Sequence, residues 1–364
     1  MGRESEGSSA RSLAGVEVMI EIPVPSDLGT YHLDRQLGQG NFGTVYEAHD
    51  ILLGRRLALK IIPIENDQDA ADIRRKVEEA SLQYRSRHLN VVQVNRVVPL
   101  RLDESRFVGI DMEYVEGGSL QDELITHFVS CHDCLTIFPQ VLSGLEHLHS
   151  RGVIHCDIKP SNIMVAESRV RLADFGLAGI MSESQPLYGQ GYRSHIAPEC
   201  YAGSPFSFQS DIYAVGMTLF RCLNNIPDWR SECEAIADSE QVTHTGGLVT
   251  AVGFKPYVPH KLKRIVTRAT DTRLDHRFGS ASEMQCALNS LRPLIDWRQA
   301  APFTWTGSQR VSGSSTNNYV LTVSGRSVDV WRNRRRVSDK CKKYALPGEA
   351  LKAAYDYIAD TTIM

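Results

Sequence analysis

Between Tyr31 and Val115, apolar and polar residues alternate with the two-residue period of half-buried strands, in YHLDRQLG, GTVYEAHD, RRLALKIIPI, NVVQVNRVV and FVGIDMEYV. One stretch, DQDAADIRRKVEEASLQYRSR, breaks the alternation and reads as a helix. After Ser119 the period changes. CLTIFPQVLSGLEHLHSRG, SDIYAVGMTLFRCL and KLKRIVTRAT are apolar at helical spacing. Strands followed by helices predict an α+β chain of two lobes rather than one doubly wound sheet. The hinge should lie near EYVEGGS, residues 113–119.

Beyond Pro293 the pattern changes again. NYVLTVSGRSVDVWR predicts a hairpin turning at Ser324–Gly325. LPGEALKAAYDYIAD predicts a closing helix with Pro347 in its first turn and Leu351, Ala354, Tyr355 and Ile358 on one face. FTWTGSQRVSGSSTN, just before the hairpin, is polar and reads partly as loop. The organisation expected is a flexible tail over residues 1–28, a main domain over 29–295, and a small separate module over 296–364.

Composition narrows the classes. The chain has 364 residues, 42% hydrophobic and 23% charged, enough for one large core or two with an appendage. Lys and Arg number 40 against 43 Asp and Glu, so no global field recruits nucleic acid or an anionic membrane. The start, MGRESEGSSARS, lacks the apolar core of a signal peptide, and Glu6 stands where a myristoylation signal needs Ser or Thr. No apolar run approaches the ~18 residues of a membrane span. Eight scattered cysteines then read as reduced thiols in the cytoplasm.

The chemistry-bearing residues come in order. LGQGNFGTVY sets Gly38, Gly40 and Gly43 in a G-x-G-x-x-G pattern, whose backbone can approach phosphate oxygens and present amide donors. A dinucleotide fold would need these glycines to open a helix, whereas TVYEAHD continues as strand; the phosphates would lie under a flap. Without a ligand, the same pattern is a glycine-bearing hairpin. Lys60 lies inside the apolar strand LALK, where a buried ammonium needs an anionic partner. Glu78 and Glu79 on the following helix are candidates, although both also suit a solvated helix face. HCDIKPSN then places an acid, a cation and an amide in one short loop. RLADFGLA and IAPEC follow.

This ordered set resembles the eukaryotic-type (Hanks-type) Ser/Thr protein kinase family over about residues 31–293. The resemblance implies a two-lobed fold, with a β-rich lobe to about residue 115 and a helical lobe after it. It also implies transfer of the γ-phosphoryl group of Mg-ATP to Ser or Thr hydroxyls of a protein substrate. Residue by residue, Asp157 would accept or orient the hydroxyl proton and Lys159 would stabilise the transferring group. Asn162 and Asp174 would hold Mg²⁺, a hard ion suited to oxygen ligands. Lys60 would contact the α/β-phosphates and pair with Glu79, with Glu78 the alternative because Gln83 sits where the family has an apolar residue. Leu37, Gly38, Gly40 and Gly43 would cover the nucleotide. Val45, Ala58 and Met164 would sandwich adenine. Met112 would be the gatekeeper, and the backbone of Glu113 and Val115 would hold the ring's edge. His155 would be a buried scaffold histidine, and Glu199 would pair with Arg277.

Three positions depart from the family pattern. Cys156 replaces the arginine that commonly precedes the catalytic aspartate, which implies a non-arginine-type kinase. Tyr192 and His195 occupy positions where threonine and tyrosine are usual. CHDC, residues 131–134, has the spacing of half a zinc site but no second pair of ligands, and reads as ordinary helix. Rival readings are a pseudokinase scaffold and a kinase-like fold acting on a small molecule. The terminal module carries RNRRRVSDKCKKY, with Trp331 and Tyr344 flanking basic residues. It suits an acidic partner or nucleic acid, or else a solvated face, and the kinase core should not need it for chemistry.

Overall fold

A computed structural model describes residues 22–40, 43–64, 87–166, 169–174, 179–180, 193–311 and 315–364. The early alternation becomes one antiparallel sheet: β1 (Ser26–Leu28), β2 (Tyr31–Gly40), β3 (Gly43–Asp50), β4 (Arg55–Ile64), β5 (Val94–Leu102) and β6 (Ser105–Glu113), in the order β1-β2-β3-β4-β6-β5. The two-residue period gives β4 two faces. Leu57, Leu59 and Ile61 pack with Tyr31, Leu33 and Phe107. Ala58 and Ile62 pack on the other side with Val94, Ile110 and Met112, and this is the side that looks into the cleft. Lys60 shares their parity. The stretch that reads as a helix, with Glu78, Glu79 and Gln83, lies outside the described residues.

Helices α1 (Leu120–Thr126) and α2 (Cys131–His149) open the second lobe. Each begins with a capping box, Ser119 with Asp122 and Ser130 with Asp133, which satisfies orphan amides at both starts. Short strands β7 (Val153–Ile154), β8 (Ile163–Ala166), β9 (Arg169–Leu172) and β10 (Gly179–Ile180) follow. Then come α3 (Pro198–Tyr201), α4 (Phe208–Asn224), α5 (Trp229–Glu234), α6 (Ser239–His244), α7 (Leu248–Val252), α8 (His260–Ala269) and α9 (Ala281–Asn289). Helix α4 is buried along nearly its whole length and forms the axis of this lobe. Cys131 and Cys134 pack into the core on α2, and burial pushes the Cys131 thiol up to about 12, as expected of structural rather than metal-binding cysteines. No helix among the described residues is long and apolar enough to cross a membrane.

Residues 296–364 form more than a hairpin and a helix. Strands β11 (Asp296–Ala301), β12 (Thr304–Arg310), β13 (Thr316–Ser324), β14 (Ser327–Arg332), β15 (Arg335–Arg336) and β16 (Lys342–Lys343) make a second antiparallel sheet, closed by α10 (Pro347–Thr362). Ser324 pairs with Ser327, so the β13–β14 turn is Gly325–Arg326, one residue later than the pattern predicts. On α10 the buried face is Ala350, Ala354, Ile358 and Thr362, with Leu351 and Tyr355 half-buried beside it.

This unit has no core of its own. Trp305, 2% exposed, meets Phe128 at 5.3 Å and Tyr257 at 4.9 Å between ring centres, and both partners belong to the helical lobe. Arg298 donates to Asp133 Oδ1 (2.7 Å) and to the Phe128 carbonyl (3.2 Å), tying β11 to the start of α2. The Leu294 and Ile295 amides donate to the Thr362 and Thr361 carbonyls at 2.9 and 3.0 Å. One apolar core runs through both.

Candidate active site

The loop between β7 and β8 is built around a buried acid. The Asp211 carboxylate, on α4, accepts hydrogen bonds from the His155 amide (2.8 Å), the Cys156 amide (2.9 Å) and His149 Nε2 (2.9 Å). Cys156 has φ +65°, a left-handed conformation unusual for a residue with a side chain. Its bond to Asp211 holds that conformation, and the chain turns so that Asp157 follows on the cleft side. Sequence reasoning missed Asp211. Its signal was a lone acid at the head of the apolar run IYAVGMTLF.

His155 is fully buried and bridges two segments. Its Nε2 donates to the Ala173 carbonyl (3.2 Å) and its Nδ1 accepts from the Asp157 amide (3.4 Å), a pair of bonds that places the proton on Nε2. The Ala173 amide in turn donates to the Asn162 carbonyl (2.9 Å). The loop and the residue before Asp174 are thereby fixed to each other.

The polar groups then converge. Lys159 Nζ donates to Asp157 Oδ2 at 2.6 Å. Asn162 Nδ2 donates to the Asp157 carbonyl (2.8 Å) and to Asp157 Oδ2 (2.9 Å), which leaves its amide oxygen as the atom able to coordinate a cation. Lys60, 6% exposed, donates to Asp174 Oδ1 at 2.6 Å. Burial alone would raise the Asp174 pKa, but the charge and hydrogen bond of Lys60, with the charge of Lys159, outweigh it and hold the carboxyl below its ordinary range. Asp174 therefore stays ionised at neutral pH. Like Cys156 it has a left-handed backbone, φ +59°.

Above this cluster lies an apolar slot. Val45, Ala58, Met112, Val115 and Met164 belong to one cluster, drawn from both lobes. Val45 faces Lys60 across the β3–β4 ladder, and Ala58 faces Met112 across β4–β6. The Glu113 amide donates to the Gln93 carbonyl (2.9 Å), and its carboxylate meets Arg171 Nε at 3.1 Å, which locks the start of the connection between lobes. Gly117 at φ +110° lets that connection pass β8; a Cβ there would stand 2.2 Å from the Val165 carbonyl oxygen. Gly43, at φ +143°, is just as constrained: a Cβ would meet the Ile61 carbonyl oxygen at 2.3 Å. Gly38 faces Val45, and Gly40 pairs with Gly43 where the hairpin turns back. Leu37 is exposed and stands apart from the apolar cluster.

Glu199 and Arg277 form a two-pronged ion pair with both N–O distances at 2.7 Å, and the arginine is buried. His195 is buried too; burial, then Arg221 and Lys159, push its pKa well below normal and keep it neutral. Ser194 accepts a hydrogen bond from Trp229 Nε1 at 2.7 Å. Tyr192 lies outside the described residues.

A strand lysine bonded to an aspartate after β9, a loop aspartate held by a lysine and an amide, and an apolar slot between a sheet lobe and a helical lobe define a protein kinase domain. The comparisons agree: residues 31–287 match the protein kinase domain family, and the chain belongs to that family. It is 31% identical over 269 residues to the serine/threonine-protein kinase PrkC of Bacillus subtilis, covering 72% of this chain and 40% of that one. It is 30% identical over 264 residues to a probable serine/threonine-protein kinase PknB of Lactococcus lactis, covering 70% and 40%. To the serine/threonine-protein kinase PknH of Mycobacterium tuberculosis it is 28% identical over 270 residues, covering 72% and 42%. The chain spans about two-fifths of the length of these relatives.

Proposed function

We propose that this chain is a serine/threonine protein kinase that transfers the γ-phosphoryl group of ATP to hydroxyls of a protein substrate. The observation that carries this reading is the convergence of Lys60, Asp174, Asp157, Lys159 and Asn162 beneath one apolar slot. Phosphoryl transfer asks a protein for positioning and charge neutralisation more than for covalent chemistry. Asp157 would take the hydrogen bond of the attacking hydroxyl and orient it. Lys159, held on Asp157, offers its cation where charge builds on the transferring group. Lys60 offers the other cation to phosphate oxygens, with Glu79 or Glu78 as its further partner. Val45, Ala58 and Met164 would flank the adenine, and the backbone of Glu113 and Val115 would hold its edge beside Met112.

The donor set fits Mg²⁺. An ionised Asp174 and the amide oxygen of Asn162 are hard ligands, and Mg²⁺ completes its shell from phosphates and water rather than from an all-protein cage. No cluster of three or more His, Cys, Asp or Glu side chains able to hold a metal occurs among the described residues, as that mode of binding allows. When bound, the ion would neutralise phosphate charge.

A pseudokinase scaffold would need none of these groups, and nothing in the site favours it. The eight unpaired cysteines suit a cytoplasmic protein. Residues 296–364 would act as an accessory unit that recruits an acidic target or nucleic acid.

The chain also reads as a kinase of the non-arginine type. Cys156 is buried, its amide is taken by Asp211, and burial pushes its thiol far above the ordinary range, so it cannot receive a phosphate. Ordering a loop by phosphorylation requires a cation to meet the added charge. Phosphatase treatment should therefore change the initial rate on an added substrate by no more than about twofold. A tenfold drop, restored by rephosphorylation, would show that another cation does the work.

A further inference from the structure

The second sheet turns its buried face to α10 and the kinase lobe and leaves the other face open. On that open face Val320 and Trp331 are direct cross-strand neighbours, each 40% exposed. Arg336 lies opposite Trp331 on the next strand. Trp331, Val320, Asn318, Asn333 and Arg334 line a hollow of about 750 Å³. An indole is the largest apolar side chain available, and a soluble surface gains nothing by showing one beside a valine.

The adjoining turn is built to present arginines. Arg332 pairs with Arg335 across a two-residue turn, Asn333–Arg334, in which both residues have positive φ (50° and 64°). Asn or Gly is the usual occupant of such positions, so arginine at 334 is held there against its preference. Asn333 does the holding. Its side-chain oxygen accepts from the Asn318 amide and its nitrogen donates to Asn317 Oδ1, both at 2.8 Å. Arg336 is paired with Asp329 at 2.7 Å. Arg334 has no ion-pair partner among the described residues, and Arg332 and Arg335, which pair with each other one position on from Trp331, lie on the opposite face beside Tyr319. Charge is concentrated here as well: residues 296–364 carry eleven Lys or Arg against six Asp or Glu, in a chain whose net charge is −3.

We propose that this face binds a single-stranded polynucleotide, with Trp331 as the platform for a base and Arg334 and Arg336 beside it for the phosphates. The proposal rests on the recruiting role given above to residues 296–364 and selects one class of partner for it. An acidic peptide would be served by the arginines alone and would leave the exposed indole without a role. A flat ring, cations beside it (Arg334 and Arg336) and an exposed amide (Asn318) on one open sheet face are what an unstacked base and its backbone require. A duplex keeps its bases stacked, out of reach of a ring lying on a flat sheet.

The test is binding of fluorescein-labelled dT20 and U20 to the full chain by anisotropy, with a 20-base-pair duplex and poly-glutamate as competitors. We expect saturable binding of at least one single strand, and the preferred strand identifies the source. Trp331→Ala should weaken it at least about tenfold while Trp331→Phe retains most of it. Arg334→Gln should weaken binding and flatten its salt dependence by about 0.7 in log–log slope. Peptide phosphorylation and melting temperature should be unchanged in all three variants, because none of these residues lies in the active site or the core. Asp157→Asn should abolish phosphorylation yet bind dT20 or U20 normally, so failure of the kinase reading and failure of this one are separable. Absence of binding, equal competition by poly-glutamate, or Trp331→Ala binding like the parent would overturn the proposal.

Discussion

Asp174→Ala and Lys60→Met should each lower turnover at saturating Mg-ATP by about 10²-fold or more while leaving the protein folded. The two side chains meet at 2.6 Å in the cleft, and each is the other's counter-charge. Replacing Lys60, which is 6% exposed, removes a buried cation and the main influence that lowers the Asp174 pKa. Replacing Asp174 removes the carboxylate proposed to hold the metal and leaves the lysine without this acceptor. Both changes act at the cleft rather than in the apolar core, so circular dichroism and melting should resemble the parent protein. Turnover within about threefold of the parent for either variant would mean that the phosphates are held elsewhere.

Cutting the chain after residue 295 should have the opposite character, a loss of fold rather than of chemistry alone. Sequence alone makes residues 296–364 dispensable, since every catalytic motif precedes them. The shared core changes that expectation. Truncation would uncover Phe128, Tyr257 and the apolar side of α2, and would remove the Arg298 contacts at the start of that helix. The truncated chain should aggregate or melt well below the full one. The milder variant Trp305→Ala, which deletes the centre of that contact, should cost about 3–5 kcal/mol in urea melts, as large buried aromatics do. A truncated chain that is soluble, melts like the parent and phosphorylates a peptide at the parent rate would show that the two parts fold independently.

How much of this was legible beforehand depended on what each feature demands of the sequence. Lys60, Asp157, Lys159, Asn162 and Asp174 could be picked out because their chemistry admits few residue types at fixed order, and the structure brings them together. The apolar slot was legible for the same reason, since Ala58 and Met112 fall on the cleft face by simple alternation. Leu37 was less so: strand parity says nothing about whether an edge residue reaches the slot. Asp211 stood out only as a lone acid before an apolar run, without a periodic signature, and its role appears only where three donors converge on it. Strand β12 reads partly as loop in the sequence because its inward positions are held only by Trp305 and Gly307, the latter between β11 and β13. Sixty-nine residues rich in polar positions look independent in one dimension. Their dependence on the larger lobe lies in contacts from Phe128 and Tyr257, far away in the chain.

The central claim is that the cleft performs phosphoryl transfer rather than only holding a nucleotide. The most direct measurement follows the γ-phosphate of labelled ATP into a serine- or threonine-containing substrate, for the parent protein and for Asp157→Asn, with nucleotide affinity measured in parallel. The account predicts transfer by the parent to Ser or Thr, and a rate at least about 10²-fold lower for Asp157→Asn with nucleotide affinity nearly unchanged. A parent protein that binds ATP and transfers no more phosphate than the Asp157→Asn variant would contradict it.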